Sequence, residues 1–255
     1  MNDIHQLENK MRSLRLNGML DTLNLRLSQA QKDSIGFIQF LELLLEDETQ
    51  YRANKRLASR VTKARFEEEK SLEQFNFSFN SRIPSQYIHD LATCRFIGQK
   101  ESIIFCGPVG VGKTHLAQAL GHQACRLGYS ALFTKANRLL SDLGGGRADG
   151  TWEKRLHHYL KPNLLIIDDF AIKELTKTQG EDLYELIDQR YRSGSMIVTA
   201  NRSPKDWYPL FPNPVIAESA LDRLLSCSHI ITLTGKSYRS LLRPDKAIEK
   251  EVVTV

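Results

Sequence analysis

The sequence predicts an α/β fold: a five-stranded parallel sheet covered by helices on both faces, preceded by an all-helical N-terminal segment. Three observations carry that prediction. Short apolar, β-prone runs alternate with helix-forming stretches across residues 102–234. The runs are aliphatic along their whole length, as strands buried on both faces are. Residues 1–66 instead place Leu, Phe and Met at helical spacing.

Composition sets outer limits. At 255 residues, 41% hydrophobic and 25% charged, the chain can hold one large domain, or a large and a small one, with an ample core. No apolar run approaches the roughly 20 residues that cross a bilayer, and the start MNDIHQLENK lacks a signal-peptide core. A cytoplasmic protein with no membrane partner is expected. Cys94, Cys106, Cys125 and Cys227 are scattered and form no C-x-x-C pair, so they read as reduced core residues, neither a disulfide framework nor a zinc site. A net charge of +5 hints at an anionic partner.

In the N-terminal segment Ile4, Leu7, Met11 and Leu14 mark a first helix, Asn17-Gly18 a break, and Leu20, Leu23 and Leu27 a second helix. Asp33-Ser34 reads as a stop and N-cap, after which Phe37, Phe40, Leu41, Leu44 and Leu45 begin a long helix reaching Phe66. Its far half, RANKRLASRVTKAR, carries six basic residues and no acid. At about 100° per residue Arg52, Lys55, Arg56, Arg60 and Lys63 share one arc, with Ala53, Leu57, Val61 and Ala64 on the adjoining one. Such a row either lies along a phosphate backbone or is a solvated face answering the acidic clusters at 46–48 and 67–69.

Residues 67–100 read as a connector. Phe75, Phe77 and Phe79 alternate with polar residues and either stack nucleobases or dock the connector on the core; a short helix with Tyr87, Leu91 and Phe96 follows. The first strand, 102–106, then runs into Gly107-Pro108-Val109-Gly110-Val111-Gly112-Lys113-Thr114, a complete G-x-x-x-x-G-K-[ST] opening a helix at His115. Its glycines let backbone N–H groups cradle phosphate oxygens at the positive end of that helix. Lys113 would reach the β- and γ-phosphates of a nucleotide, and Thr114 would hold Mg²⁺.

Further strands are expected at 130–134, 164–169, 195–201 and 229–234, and helices at 137–143, 151–160, 178–192 and 219–225, with Gly144-Gly145-Gly146 as a flexible break. The strand LLIIDD delivers Asp168 and Asp169 at its C-terminal end, where open α/β sheets bind ligands. Asp168 is the candidate partner of Mg²⁺, and Asp169 could orient the attacking water. Asn201, at the tip of SMIVTAN, is placed to contact the γ-phosphate or to position water.

These parts, in this order, resemble the AAA+ ATPases, and within them the IstB-like ATP-binding proteins of bacterial insertion sequences, with the helicase loader DnaC as a close relative. The resemblance runs over LRLNGMLDTL, LASRVTKARF, GPVGVGKTHLA, LLIIDDF, IVTANRSPKDW, ALDRLL and GKSYR. It implies an AAA+ P-loop NTPase core with sheet order 5-1-4-3-2, Asn201 as sensor I, Arg223 of ALDRLL as an arginine finger acting on a neighbouring subunit, and Arg239 of GKSYR as a second phosphate-sensing arginine. For Arg223 a surface salt bridge is the other reading.

Two departures stand out. Asp169 occupies a position usually held by Glu, which fits slow hydrolysis, and the 21 residues after Thr234 are too few for a C-terminal helical lid. The expected organisation is a helical domain at 1–66, a connector at 67–100 and an ATPase domain at 101–255. The function implied is an ATP- and Mg²⁺-dependent oligomer that binds duplex DNA without reading sequence and stimulates a cognate, IstA-like transposase in a bacterial cytoplasm. A helicase loader binding single-stranded DNA, a small-metabolite kinase and a nucleotide-gated scaffold are the alternatives.

Overall fold

The computed structural model describes residues 2–80 and 83–242. The chain divides into two compact units, Met1–Ser59 and Arg60–Val255.

The first unit holds α1 (Asn2–Ser13), α2 (Asn17–Asp33) and most of α3 (Phe37–Ala64). Met11, Met19, Leu23 and Leu44 form its core. The break between α1 and α2 falls at residues 14–16, where Arg15 takes a left-handed φ of 58°, and not at Asn17-Gly18. Gly18 lies inside α2 for a packing reason: a Cβ there would stand 2.6 Å from Tyr51 Cβ and 2.7 Å from the Asp47 carbonyl oxygen. No side chain of α2 caps its own start. Glu48 of α3 does so instead, its Oε2 accepting from the backbone N–H of Gly18 at 2.7 Å and of Met19 at 3.2 Å. Ser34 likewise ends α2, with a φ of 53° and its N–H on the Ala30 carbonyl, rather than capping α3. The apolar start of α3 is mostly outward, Phe37 being 90% and Ile38 78% exposed.

The second unit takes in the end of α3, followed by a 3₁₀ turn (Phe77–Asn80), α4 (Ser85–Leu91) and α5 (Arg95–Gln99). It continues as β1 (Ser102–Cys106), α6 (Lys113–Arg126), β2 (Ala131–Lys135), α7 (Ala136–Asp149), α8 (Trp152–Leu160), β3 (Leu164–Phe170), α9 (Lys177–Arg190), β4 (Ser195–Ala200), α10 (Pro214–Ser226) and β5 (Ser228–Thr232). All pairings are parallel and the order is β2-β3-β4-β1-β5, the expected order read from the other edge. Alternation sorts the strand side chains. Ile104, Leu132, Leu165, Ile167, Met196 and Val198 join the core built with α7 to α10, while Ile166 reaches Gly121 of α6 on the opposite face.

Gly144, Gly145 and Gly146 do not interrupt the chain; α7 runs through them and stops at Gly150, whose φ is 73°. A bare α-carbon is needed at Gly146, where α8 lies so near that a Cβ would meet Trp152 Cα at 2.8 Å, whereas a Cβ on Gly144 would meet nothing. The helix expected at 219–225 starts earlier, at Pro214, since Asn213 caps it by accepting from Val215 and Ile216 N–H. Thr176 and Gln179 form a reciprocal capping box on α9. Cys94, Cys106 and Cys125 are buried thiols, and burial, then Cys125, pushes the Cys94 thiol up to about 11. No helix among the described residues is long and apolar enough to cross a membrane. The expected absence of a lid concerns the end of the chain, where residues 243–255 lie outside the described residues.

Candidate nucleotide site

At the C-terminal ends of the strands a cavity of about 640 Å³, a volume suited to a small-molecule cofactor, brings together Val109 to His115, Asp168, Asp169, Asn201 and Arg239. These come from four separate stretches of sequence, and the parallel sheet gathers them at one end. The loop that opens α6 is shaped by backbone that only glycine tolerates there. Gly110 and Gly112 have φ of 82° and 103°, and a Cβ would fall 2.0 Å from Ser237 Oγ or 2.5 Å from Phe75 Cε2 respectively. Gly112 starts α6 with no side-chain cap on its N-terminal amides, which leaves them for an anion.

Lys113 is 6% exposed and folds back, Nζ donating to the carbonyl oxygens of Gly107 at 2.8 Å and Pro108 at 2.7 Å. Burial pulls its ammonium below the ordinary lysine value, opposed by the charges of Asp169 and Asp168. Thr114 Oγ1 donates to Asp168 Oδ1 at 2.8 Å. Burial raises the Asp168 carboxyl, opposed by hydrogen bonds from Thr199 and Thr114. A hydroxyl beside a carboxylate is a donor set suited to Mg²⁺ held jointly with phosphate oxygens. Among the described residues no cluster of three or more His, Cys, Asp or Glu could hold a metal alone, so the phosphates would complete the shell.

The remaining expected residues are distributed unequally. Asn201 and Arg239 line the cavity, and Arg239 is exposed. His115 belongs to the wall, its Nε2 on the Ser71 carbonyl at 3.0 Å and its ring edge-on to Phe75; burial lowers its pKa first of all. Arg223 is not among the lining residues. Its Nε sits 2.8 Å from Asp188 Oδ1, its Nη1 donates to the Ser219 carbonyl, and its guanidinium lies over the Tyr184 ring. In the row on α3, Arg52, Lys55, Arg56 and Lys63 are exposed and Arg60 is half-buried. Arg52 pairs with Glu48 at 2.6 Å, and Arg60 donates to the Cys125 carbonyl at 2.9 Å.

Several lining residues had no place in the sequence-based site. Phe75 and Phe79 form part of the wall, so the alternating aromatics of the connector dock it and face the cavity at once. Tyr238 stacks edge-on against Phe79 and its N–H binds the Gly110 carbonyl. Gln118 of α6 fixes the connector by accepting from Glu67 and Glu68 N–H. Lys135, the last residue of β2, faces the cavity and pairs with Glu67 at 2.9 Å. Its signal was a strand end, hidden by placing that strand one residue too early.

Fold and site together define a P-loop nucleotide-binding protein of the AAA+ type. Solved structures agree on the fold: AMPPCP-bound DnaA from Aquifex aeolicus matches with a TM-score of 0.57 at 18% identity, over 74% of this chain and 56% of the DnaA chain. The DnaC helicase loader matches with a TM-score of 0.53 at 22% identity, over 59% of this chain and 88% of the loader. The chain belongs to the family of IstB-like ATP-binding proteins, whose family model matches residues 9–245. An insertion-sequence ATP-binding protein of Mycobacterium tuberculosis is 48% identical over 241 residues, 94% of this chain and 96% of the relative.

Proposed function

We propose that this protein is the ATP-hydrolysing helper of an insertion sequence. It binds ATP, assembles on duplex DNA with little regard to sequence, and in that state recruits or stimulates its cognate, IstA-like transposase; hydrolysis resets the assembly. One observation carries the hydrolytic part: the Thr114–Asp168 hydrogen bond, Asp169 and Asn201 meet in the cavity that the glycine loop opens. Lys113 leaves the Gly107 and Pro108 carbonyls to meet the β- and γ-phosphates. Asp169 accepts a proton from, or orients, the attacking water, and Asn201 reads the γ-phosphate. Mg²⁺, held by Thr114 with Asp168 behind it, would neutralise charge developing on the phosphates. Arg223 serves a neighbouring subunit's site after exchanging Asp188 for phosphate.

Family membership supports the transposition context. In this reading residues 1–66 bind DNA and self-associate, 67–100 connect, and 101–255 hydrolyse ATP. Of the five cations on α3, Glu48 and the Cys125 carbonyl engage Arg52 and Arg60, while Lys55, Arg56 and Lys63 are exposed and form no ion pair among the described residues. Three phosphate contacts per subunit give a salt slope of about −2.7 on duplex DNA.

The test is fluorescence anisotropy of labelled duplex and single-stranded DNA at matched salt under ATP, ADP and no nucleotide, with the wild type and Lys55→Glu/Arg56→Glu. Tighter duplex binding under ATP, lost in the double variant, is expected. Preference for single strands, or unchanged binding by a folded double variant, refutes the DNA part. Recovery of ATPase activity on mixing Lys113→Ala with Arg223→Ala subunits tests the shared site, and no recovery refutes it.

A further inference from the structure

β3 and β4 keep register from Leu164↔Ser195 to Ile167↔Val198, then slip, and resume at Phe170↔Ala200. Asp168 and Asp169 therefore stand opposite a single residue, Thr199, in a β-bulge. Asp169 takes a left-handed φ of 57°, an unfavourable conformation for a residue with a Cβ, so its surroundings must hold it. Thr199 is fully buried, and its hydroxyl occupies the gap in the ladder. Oγ1 accepts from the Asp169 N–H at 3.1 Å, replacing the partner that the slip removed. It also donates to Asp168 Oδ1 at 2.5 Å, the oxygen that receives the Thr114 hydroxyl at 2.8 Å.

We propose that Thr199 is a positioning residue for the ATPase reaction: its one hydroxyl fixes the bulge so that Asp168 meets Thr114 while Asp169 turns out of the sheet toward the cavity. Its chemistry is suited to this because a hydroxyl accepts and donates at the same atom. Valine at 199 would match the shape, leave the half-buried Asp169 N–H without its protein acceptor and withdraw one of two donors from Asp168. Serine would keep both bonds. The proposal rests on the reading that Asp168 and Asp169 serve Mg²⁺ and the attacking water.

The experiment compares wild type, Thr199→Val and Thr199→Ser by steady-state ATP turnover, by the Mg²⁺ concentration needed for tight binding of a fluorescent ADP analogue, and by hydrogen exchange at the Asp169 amide. Thr199→Val should lower kcat about 10- to 100-fold with KM changed less than about threefold, and raise the Mg²⁺ midpoint about 10-fold, with Thr199→Ser close to wild type. In the wild type the Asp169 amide should exchange at least about 10³-fold more slowly than an unprotected one. Normal kcat and Mg²⁺ midpoint in Thr199→Val, or a serine variant as impaired as the valine one, overturns the proposal. Should Thr199→Val not fold, the wild-type exchange rate and Thr199→Ser decide: a freely exchanging Asp169 amide or a crippled serine variant overturns the role. A wild type without ATP turnover refutes the hydrolytic function alone, since the Mg²⁺ midpoint and amide exchange still decide what Thr199 does.

Discussion

Arg190 is a buried cation with no carboxylate beside it among the described residues, and replacing it with methionine should remove much of the stability of the second unit. The side chain is 0% exposed, and its two terminal nitrogens donate to the carbonyl oxygens of Tyr159, Leu160, Pro162, Asn163 and Ser195. Burial pulls the guanidinium well below the ordinary arginine value, down to about 10, a cost on the charged form of roughly 3 kcal/mol. Charge-assisted hydrogen bonds at about 1.5 to 3 kcal/mol each outweigh that cost across five carbonyls. Methionine abolishes the cost and the bonds together but leaves buried carbonyls without donors, for a net loss of at least about 4 kcal/mol. That is a large part of the roughly 5 to 15 kcal/mol available to a domain. Urea unfolding of Arg190→Met, followed by tryptophan fluorescence, reads this unit directly, because Trp152 and the fully buried Trp207 both belong to it. Arg190→Lys keeps a charge but not the planar fork, and should lose about half as much. A methionine variant within about 1 kcal/mol of wild type would refute the reasoning.

Three other outcomes are expected. Burial raises the Glu48 carboxyl, but the hydrogen bonds from Arg52, Met19 and Gly18 outweigh it and leave the folded value below the ordinary 4.5. A lowered acid contributes stability above its unfolded pKa and loses it as pH falls through the folded one, so helicity of the first unit should fade below about pH 4.5, and Glu48→Gln should flatten that dependence in circular dichroism. Gly18→Ala should destabilise the same unit by about 1 to 3 kcal/mol, measured by thermal unfolding, because the clash at 2.7 Å is with Asp47 and Glu48 backbone that cannot step aside. Asp169→Asn should cut ATP turnover about 10²- to 10⁴-fold while nucleotide affinity, by equilibrium titration, stays near wild type; unchanged turnover removes Asp169 from the chemistry.

The sheet and the phosphate loop were legible because their signals are local: an aliphatic run, a fixed glycine spacing, two acids at a strand end. Long-range contacts were not. Glycine is the ordinary punctuation of a sequence, yet Gly18, Gly145 and Gly146 are helix-packing residues whose partners, Tyr51, Arg155 and Trp152, could be identified only in three dimensions. Ser34 closes a helix instead of opening one because its backbone, not its side chain, makes the capping bond. In the site, Lys113, Thr114 and Asp168 follow from motif spacing, whereas Lys135, Thr199 and Tyr238 gain their places from strand register and from the return of the chain over the loop. Arg52 and Arg60 share their arc with exposed cations but are claimed by Glu48 and the Cys125 carbonyl, which periodicity alone does not reveal.

Arg190 gathers the chain just before β3 and at the first residue of β4, whereas Asp168, Asp169 and Asn201 lie at the far ends of those same strands. The bracing contacts thus sit at one pole of the sheet and the cavity opens at the other, one strand length apart. Substitutions around the cavity therefore fall a full strand away from the contacts that tie β3 to β4 at their starts. The same separation tells an engineer where to brace the molecule when the cavity is to be rebuilt.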